Sequence, residues 1–536
     1  TLVETETIPD PYCLLAFTFT NAAANEMRSR LRKKGFVLWN RVWIGTYHSF
    51  GQYLLSCYGR DIGIKENFRL LEADEQTKIL NQIKGRLNLN IKINNLISTL
   101  EKLKRKGIYP DINDSHLDPT LRSIYGMYQH HLKIRNCLDF GDLVALSVRL
   151  LDKSNLVRRI FTNFFKYVIV DEFQDSDPQQ LSLISVFANS ALGCTIVADD
   201  DQSIYKFRGA VRENIKIIKN KLHAKEIYLG QNFRSDQIIV EAAKAVIEEE
   251  AGRVHRNIKA VSNSRGVLFK AEFPDEESEA SKVAEWISQL NNEENWGDVA
   301  IITRTRFRAN HVLSELDRLE VPWFDRSRLS FQESWEISLT LVVLLLSSNP
   351  HSAEYLHHLM TTIEDDGLAY RIEEDALDIA LGIRNKLLRF NLKPTISNIN
   401  DILEIVEFNQ IANSVCWSDT EVKRIFKNIN LLIEDLETLE SEIDTDFQDH
   451  SLHLKGLIAR ILGYDAVQVM SGHASKGREF NKVFLVGLED DVIPSYRSHN
   501  NKDDIAEERR IFYVSLTRAK KSLYLTYASE RMMPWK

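Results

Sequence analysis

Tyr167-Val-Ile-Val-Asp-Glu-Phe-Gln-Asp175 is the stretch that decides the fold. Its first four residues are apolar and mostly β-branched or aromatic, which predicts a buried strand. Two carboxylates, Asp171 and Glu172, follow at the predicted strand end. Hydrolysis of a magnesium-bound nucleotide needs one carboxylate to hold the metal and another to orient or deprotonate the attacking water. An acidic pair after a strand is by itself more often a turn or a helix cap, so this pair needs support from elsewhere in the chain.

Similar apolar runs recur along the chain, each followed by polar or glycine-containing residues and then by helical periodicity. They lie at 14–19, 195–198, 299–302, 483–486 and 523–526. This alternation predicts an α/β protein with parallel sheets covered by helices, in which ligands gather at the carboxyl ends of the strands. Two long segments, 58–157 and 331–460, lack the strand rhythm and are interpreted as helical insertions into two α/β domains.

Composition limits the possible functions of the chain. Its 536 residues are 44% hydrophobic and 27% charged, which is the balance of a globular protein with several domains. The net charge of −8 excludes a generally basic nucleic-acid coat, so binding to phosphate backbone would need a local groove of Lys and Arg. The five cysteines are scattered and odd in number, which favours a reducing, cytoplasmic location. The longest apolar run, 339–348, is too short to span a bilayer, and no membrane association is expected.

The two insertions differ in charge. The first carries a basic stretch from Lys84 to Lys106, whereas the second is acidic from Glu434 to Asp446. A charge run that stands alone is usually a solvated helix face. The alternative for the acidic run is a surface that docks a protein partner.

Further polar segments could serve the same chemistry as Asp171 and Glu172. The loop 199–208 follows an apolar run and contains Gln202, whose amide could sense a terminal phosphate, and Tyr205 and Phe207, which could stack on bases. Arg234 and Arg518 stand where a guanidinium could reach phosphoryl oxygens. Each of these features has an ordinary structural explanation when it is taken singly.

The order of the segments is more specific than any one of them. Five segments resemble successive motifs of the UvrD/Rep/PcrA-like DNA helicases of superfamily one: Gly45-Thr-Tyr-His-Ser-Phe50, Val170-Asp-Glu-Phe-Gln-Asp-Ser176, the loop 199–208, Leu229-Gly-Gln-Asn-Phe-Arg-Ser235 and Val469 to Phe480. Segments 17–27, 138–143, 301–305 and 507–519 also match, in the correct order. Because the specificity of independent motifs multiplies, a chance match of the whole set is very improbable.

The resemblance implies roles for matching residues. Asp171 would hold Mg²⁺ through water, Glu172 would activate the hydrolytic water, and Gln202 would couple the γ-phosphate of ATP to the DNA site. Arg234 and Arg518 would contact the γ-phosphate. The remaining nucleotide contacts would be Phe233, Glu479 and Gly477. The single-stranded DNA track would be lined by Thr18, Phe19, Thr20, His48, Tyr205, Phe207 and His473.

The sequence departs from the family pattern at several positions. No G-x-x-x-x-G-K-[ST] phosphate loop is present, and the chain begins at Thr1, so we expect an amino-terminally truncated chain that binds ATP weakly. Ala22, Ala198 and Arg478 stand where the family usually has Lys, Gly and Leu. Gly472 to Gly477 has the glycine spacing of a phosphate loop but lacks the Lys-Ser/Thr that should follow, and it is rejected as a replacement.

The resemblance implies two RecA-like motor domains. The first is expected at 1–57 plus 158–228 with an insertion at 58–157, and the second at 229–330 plus 461–536 with an insertion at 331–460. The expected function is ATP-dependent 3′ to 5′ DNA helicase and translocase activity on single-stranded DNA and single/double-strand junctions, in repair, replication or recombination. Two alternatives stay open: a non-hydrolysing DNA-binding scaffold subunit, and a motor subunit of a nuclease or defence complex.

Overall fold

A computed structural model of the chain describes most of its residues and divides it into two compact units, Thr1–Glu226 and Ile227–Lys536. The described ranges are 13–20, 41–65, 67–71, 73–110, 117–250, 256–290, 295–325, 335–365, 375–390, 392–415, 419–442 and 466–531. A few single residues between these ranges are also described: some within 23–31, position 253, and some between 368 and 461. Three features noted in the sequence lie outside the described residues: the segment 1–12, Ala22, and positions 443–446 of the acidic run.

The first unit contains parallel strands and the helices that surround them. Its elements, in chain order, are β1 (Cys13–Thr18), β2 (Val42–Thr46), α1 (Tyr47–Tyr58), β3 (Arg69–Leu70), α2 (Ala73–Arg86), α3 (Ile93–Arg105), α4 (Pro119–Ile134), β4 (Cys137–Leu138), α5 (Phe140–Lys153), α6 (Asn155–Phe164), β5 (Phe165–Val170), α7 (Pro178–Ala188), β6 (Gly193–Ile196) and α8 (Glu213–Leu222).

The main sheet of the first unit has the order β2-β1-β5-β6, and all its pairings are parallel. All six residues of β1 are buried, which is expected for a central strand with both faces covered. Phe17 is level with Val170, and Thr46 is level with Thr18. The residues that follow these strands therefore meet at one edge of the sheet.

The insertion of the first unit is not wholly helical, contrary to the sequence prediction. Two-residue strands β3 and β4 pair in parallel between its helices. They are too short to show the period-2 alternation that identifies a strand in sequence. Lys104, within the basic stretch, is fully buried, so that stretch is not a uniformly solvated face.

The second unit contains a larger parallel sheet and a helical insertion. Its elements are β7 (Gln231–Asn232), α9 (Gln237–Glu248), β8 (Lys259–Ala260), β9 (Val267–Asp275), α10 (Glu276–Ser288), β10 (Val299–Thr303), α11 (Asn310–Arg318), β11 (Trp323–Asp325), α12 (Trp335–Ser348), α13 (Ala353–Asp365), α14 (Ala376–Phe390), α15 (Ile399–Ile405), α16 (Phe408–Val415), α17 (Asp419–Glu442), β12 (Val467–Ser471), β13 (Phe480–Leu485), α18 (Lys502–Leu516) and β14 (Ala519–Glu530).

The six strands of this sheet have the order β11-β12-β10-β13-β14-β9 and are parallel throughout. Helices α12 to α17 form a separate apolar core around α12, which is buried over nearly its whole length. The expected parallel α/β architecture with two sheets is confirmed. Among the residues that the structure describes, no helix is both long enough and apolar enough to cross a membrane.

Candidate nucleotide and DNA sites

Asp171 and Glu172 lie at the carboxyl edge of the first sheet, directly after β5. The Asp171 N–H donates to the carbonyl oxygen of Phe17 at 2.9 Å, which extends the pairing of β5 with β1 by one residue. The Glu172 N–H donates to Oδ1 of Asp171 at 3.0 Å. Glu172 has φ 52°, a left-handed conformation that is costly for a non-glycine residue and often occurs at functional sites. This turn places both carboxylates beyond the strand end.

Gln174 connects these carboxylates to the loop that follows β6. Its Nε2 donates to Oε2 of Glu172, and its Oε1 accepts the Asp199 N–H at 2.9 Å. Nε2 of Gln202 in turn donates to Oδ2 of Asp199 at 2.8 Å. A continuous path of side-chain and main-chain hydrogen bonds thus runs from Glu172 to Gln202. Gln174 is fully buried, so its amide has a fixed orientation.

Aromatic side chains continue from this loop along the same edge. The rings of Phe19 and Tyr205 stack with centroids 5.2 Å apart and planes 18° apart, and Phe207 lies 5.9 Å from Tyr205. The Arg208 guanidinium lies over both loop rings, at 5.0 Å from Tyr205 and 5.7 Å from Phe207. Phe207 is 58% exposed, so its ring is accessible to a ligand. Rings and a guanidinium in this arrangement can stack on nucleic-acid bases.

His48 belongs to α1, which begins at the carboxyl end of β2. Its ring is partly buried, and its centroid lies 6.1 Å from that of Phe140. Burial, and secondarily the positive charge of Arg105, lower the pKa of His48 from 6.5 to about 4. The imidazole is therefore neutral at pH 7, so it can stack or form hydrogen bonds but does not attract phosphate as a cation.

The two threonines after β1 differ in exposure. Thr20 is exposed, and its hydroxyl accepts the Ala23 N–H at 3.1 Å. Thr18 is fully buried, and its hydroxyl donates to the Thr20 carbonyl at 3.0 Å. In this conformation the buried Thr18 side chain shapes the turn.

In the second unit, Arg234 and Glu479 form an ion pair. Nε of Arg234 donates to Oε2 of Glu479 at 2.8 Å, and Nη1 donates to the Thr517 carbonyl at 3.3 Å. Lys520 pairs with the other carboxylate oxygen of Glu479 at 2.7 Å. Hydrogen bonds from Lys520 and Arg234 outweigh partial burial and lower the pKa of Glu479. Phe233, next to Arg234, is 77% exposed.

Arg518 is only 1% exposed and is held by main-chain groups. Its Nε donates to the Val514 carbonyl at 2.8 Å, and Nη1 donates to the Arg478 carbonyl at 3.1 Å. Its Nη2 donates to the Thr517 hydroxyl at 2.9 Å. In the conformation described, this guanidinium braces the segment between α18 and β14.

The candidate site residues of the second unit lie at both edges of its sheet. Glu479 and Arg518 directly precede β13 and β14, and therefore lie at the amino edge, whereas His473 follows β12 at the carboxyl edge. Glu479 and Arg518 therefore lie at the opposite edge from the carboxyl ends at which ligands are expected to gather. Gly472 begins the loop that contains His473 and Gly477, where a Cβ would lie 2.8 Å from Cγ2 of Ile511 and 2.9 Å from Oγ of Ser515. Only glycine lets this loop approach α18 so closely.

Comparisons with known proteins identify the family of the chain. The first 223 residues match the UvrD/REP helicase N-terminal domain, and residues 227–374 and 399–530 match the UvrD-like helicase C-terminal domain. The chain belongs to the UvrD/REP helicase family. The ATP-dependent DNA helicase Rep of Buchnera aphidicola is 29% identical over 97% of this chain and 85% of its own length. The ATP-dependent DNA helicase PcrA of Bacillus subtilis is 29% identical over 98% and 77%, and that of Staphylococcus aureus 28% over 98% and 78%.

The first unit of this UvrD/REP helicase offers a donor set that fits a magnesium nucleotide. Mg²⁺ is usually bound through one or two carboxylates together with substrate phosphates and water, and Asp171 with Glu172 supplies the carboxylates. Among the described residues, no cluster of three or more His, Cys, Asp or Glu side chains could hold a metal ion.

A buried ion network in the same unit was not predicted from the sequence. Nζ of Lys104 lies 2.6 Å from Oδ2 of Asp139 and 2.7 Å from Oδ1 of Asp142. The hydroxyls of Tyr128 and Tyr109 donate to the same two carboxylates, each at 2.9 Å. The network joins α3 of the insertion to the start of α5, where Phe140 faces His48. The part of the network that the sequence shows is the Asp-Phe-Gly-Asp segment, 139–142. Its buried cation, Lys104, lies 35 residues upstream of Asp139.

A second unpredicted pair lies in the second unit. Arg304, after β10, donates from Nε and Nη2 to Glu508 of α18, with distances of 2.7 to 3.2 Å. Oε2 of Glu508 also accepts the Ser495 N–H at 3.3 Å. Such a two-pronged arginine–carboxylate contact fixes orientation as well as distance. Glu508 therefore positions α18, the helix that leads to Arg518.

Proposed function

We propose that this chain is an ATP-dependent DNA helicase that moves 3′ to 5′ along single-stranded DNA and acts at single/double-strand junctions in repair, replication or recombination. The observation that carries the proposal is the hydrogen-bond path from Glu172 through Gln174 and Asp199 to Gln202. The aromatic row of Tyr205 and Phe207 begins three residues beyond Gln202. A conformational change at Asp171 and Glu172 can therefore be transmitted to the base-stacking rings through a few hydrogen bonds.

Each candidate of the first unit has a role in this proposal. Bound ATP with Mg²⁺ would supply the phosphoryl group whose transfer to water releases free energy. Asp171 would hold the metal through water, and Glu172 would orient the attacking water and accept its proton. Gln202 would contact the terminal phosphate with the amide that now donates to Asp199, so nucleotide binding and the loop conformation would be coupled.

The second unit would contribute charge and a ring to the nucleotide. Arg234 and Arg518 would stabilise charge on the transferring phosphoryl group. Phe233 would stack on adenine. Glu479 and Gly477 would lie next to the ribose and the phosphates. Both guanidiniums already have acceptors in the described structure. A phosphate contact by either arginine would therefore require it to exchange one set of acceptors for another.

The DNA track would consist of Phe19, Thr20, Tyr205 and Phe207 at the first carboxyl edge, with His48 nearby and His473 in the second unit. Stacking tolerates every base, because each base has a π-face, and it contributes about 1 to 3 kcal/mol per base. This property suits a motor that has to pass over any sequence. Thr18 would act through the turn that presents Thr20.

We also propose the domain limits stated above, a cytoplasmic location, and a protein partner for the acidic face of α17. That face includes Glu434 and Asp435 within the described residues. Deletion of 360–450 would test the partner proposal, since retention of every protein interaction by the shortened chain would contradict it.

The deciding experiment is ATP hydrolysis with and without single-stranded DNA, in this chain and in a version that carries a phosphate-binding loop ahead of Thr1. Glu172→Gln in the longer version should abolish DNA-stimulated hydrolysis while binding to oligonucleotide persists. Glu213→Gln, on the exposed start of α8, is the matched control and should hydrolyse ATP normally. Unchanged hydrolysis by Glu172→Gln would refute the proposed role, and hydrolysis by neither version would favour the non-hydrolysing binding subunit.

A further inference from the structure

A cleft of about 690 Å³ lies in the first unit, between the insertion and the helices that cover the sheet. One wall is the polar face of α7, formed by side chains spaced three or four residues apart: Gln179, Ser182, Ser185 and Asn189. The opposite wall is α5, with Ala145, Val148 and Arg149. A volume of this size is typical of sites for small ligands.

The rim of this cleft is strongly basic. Five cationic residues line it, against one carboxylate, Asp152, so its formal charge is 5 − 1 = +4 in a chain whose net charge is −8. The cationic residues are Lys106, Arg149, Lys153, Arg158 and Lys221. The Arg149 guanidinium lies over the Tyr109 ring at 5.9 Å, which holds it in the cleft wall. Within the described part of the chain, the other four form no ion pair with a carboxylate.

The cleft is distinct from the candidate nucleotide and DNA sites. Helix α7 begins beside the carboxyl edge, where Asp177 caps it, and its 11 residues extend about 16 Å away from that edge. The cleft follows α7 as far as Asn189. Arg158 lies on α6, which leads into the amino end of β5. No residue assigned above to nucleotide, metal or DNA lines this cleft.

We propose that this cleft binds a run of consecutive phosphate groups. Lysine and arginine side chains around the rim supply positive charge, while hydroxyl and amide groups along α7 supply donors of the kind that contact phosphate oxygens. The run of phosphates can come from a nucleic-acid strand or from a free polyphosphate, and the chemistry of recognition is the same for both. The site is independent of the proposed hydrolysis, because none of its residues belongs to that machinery.

The test compares full-length variants in binding to a fluorescent ten-nucleotide oligothymidine and to tripolyphosphate. The double change Lys153→Glu and Arg158→Glu should weaken binding of at least one probe tenfold or more. If the oligonucleotide is the ligand, its salt dependence, measured as the slope of log affinity against log salt, should become shallower by about 1.4, because two phosphate contacts are lost. Loss of tripolyphosphate binding alone would identify a free polyphosphate as the ligand.

Two further variants separate the cleft from the general charge of the protein. Lys84→Glu with Arg86→Glu makes the same charge change at the end of α2, outside the cleft, and should alter affinity less than twofold. Ser182→Trp fills the cleft without a change of charge and should weaken the same probe as the double reversal. Equal weakening by both charge reversals, or normal binding of both probes by Ser182→Trp, would overturn the proposal.

Discussion

Nε of Arg234 donates to Oε2 of Glu479 at 2.8 Å and so joins two segments that are 245 residues apart in the chain. Lys520 holds the other oxygen of the same carboxylate at 2.7 Å. One acidic side chain therefore positions two cations at the amino edge of the second sheet. An arginine held in this way is pre-oriented and can still exchange its partner for a phosphate.

Replacement of Arg234 is expected to affect hydrolysis far more than folding. In the version with a phosphate-binding loop, Arg234→Ala should lower the rate constant of DNA-stimulated ATP hydrolysis about 10³-fold, which is typical for loss of an arginine that stabilises phosphoryl-transfer charge. Its ion pair is partly exposed, and such pairs contribute only about 0 to 1 kcal/mol to stability. Lys520→Ala removes the other cation on Glu479 and should change the rate by less than tenfold. Equal effects of the two substitutions would contradict a specific role for Arg234.

The aromatic row of Phe19, Tyr205 and Phe207 provides a test of DNA binding that does not depend on ATP. Phe207→Ala should weaken oligothymidine binding by about 1 to 3 kcal/mol, or roughly 5-fold to 150-fold, because one stacking surface is lost. Fluorescence anisotropy measures this directly. Phe164→Ala removes a comparably exposed ring at the end of α6, away from the carboxyl edge, and should bind normally. If the two variants bound equally well, the row would not be the DNA track.

The buried network around Lys104 should determine the local stability of the insertion. Lys104→Met leaves the carboxylates of Asp139 and Asp142 buried without their cation, which typically costs about 3 to 5 kcal/mol. Hydrogen exchange followed by mass spectrometry should show faster exchange in α3 and α5, whereas α18 of the second unit serves as an internal reference. Lys102→Met, on an exposed position of the same helix, should leave exchange unchanged. Normal protection in α3 and α5 of Lys104→Met would show that the network is not needed for packing.

The pKa of His48 predicts a loss of stability in acid. Because the folded-state pKa is lowered to about 4, the unfolded chain takes up a proton below about pH 6.5 that the folded chain excludes until about pH 4. Stability should therefore fall as the pH decreases through this window, by on the order of 1 to 2 kcal/mol at pH 5. The urea midpoint of His48→Gln should accordingly rise relative to that of the parent protein between pH 7.5 and pH 5.

Asp177 provides a control in which the pH dependence of stability has the opposite sign to that expected for His48. Burial raises its pKa from 3.8 to about 6, despite the hydrogen bonds that it accepts from Gln180 and Gln179. The folded state therefore takes up a proton at a higher pH than the unfolded state does, so this group favours folding as the pH falls through 6. Asp177→Asn should lose stability relative to the parent protein over the range in which His48→Gln gains it. Parallel shifts of the two variants would rule out these assignments.

The apolar runs predicted their strands well, but several strands were missed. All six predicted runs coincide with strands, and 165–170 and 519–530 extend beyond the prediction. Four strands of the two main sheets, β2, β9, β11 and β12, were not predicted as strands. The nine residues of β9 are intermediate or exposed, as expected for an edge strand, so β9 lacks the continuous apolar run that identifies a buried one.

The reactive side chains of the candidate sites could be predicted from the sequence, whereas the residues that hold them in place could not. Asp171, Glu172 and Gln202 were identified because carboxylates and an amide after apolar runs have a chemical meaning. Gln174 and Asp199, which connect them, stood in the same segments without a distinguishable role. The pairing of Arg304 with Glu508 spans 204 residues, and no local pattern indicates a partner at that separation.

The sequence by itself determined the family, the parallel α/β class and the identity of the reactive groups, because these depend on local apolar runs and on motifs a few residues long. Only the tertiary structure decided which of those groups are buried and which acceptors Arg234 and Arg518 occupy. Strand order and burial arise from contacts between residues tens to hundreds of positions apart. Such contacts leave no signal in the local pattern of a single chain.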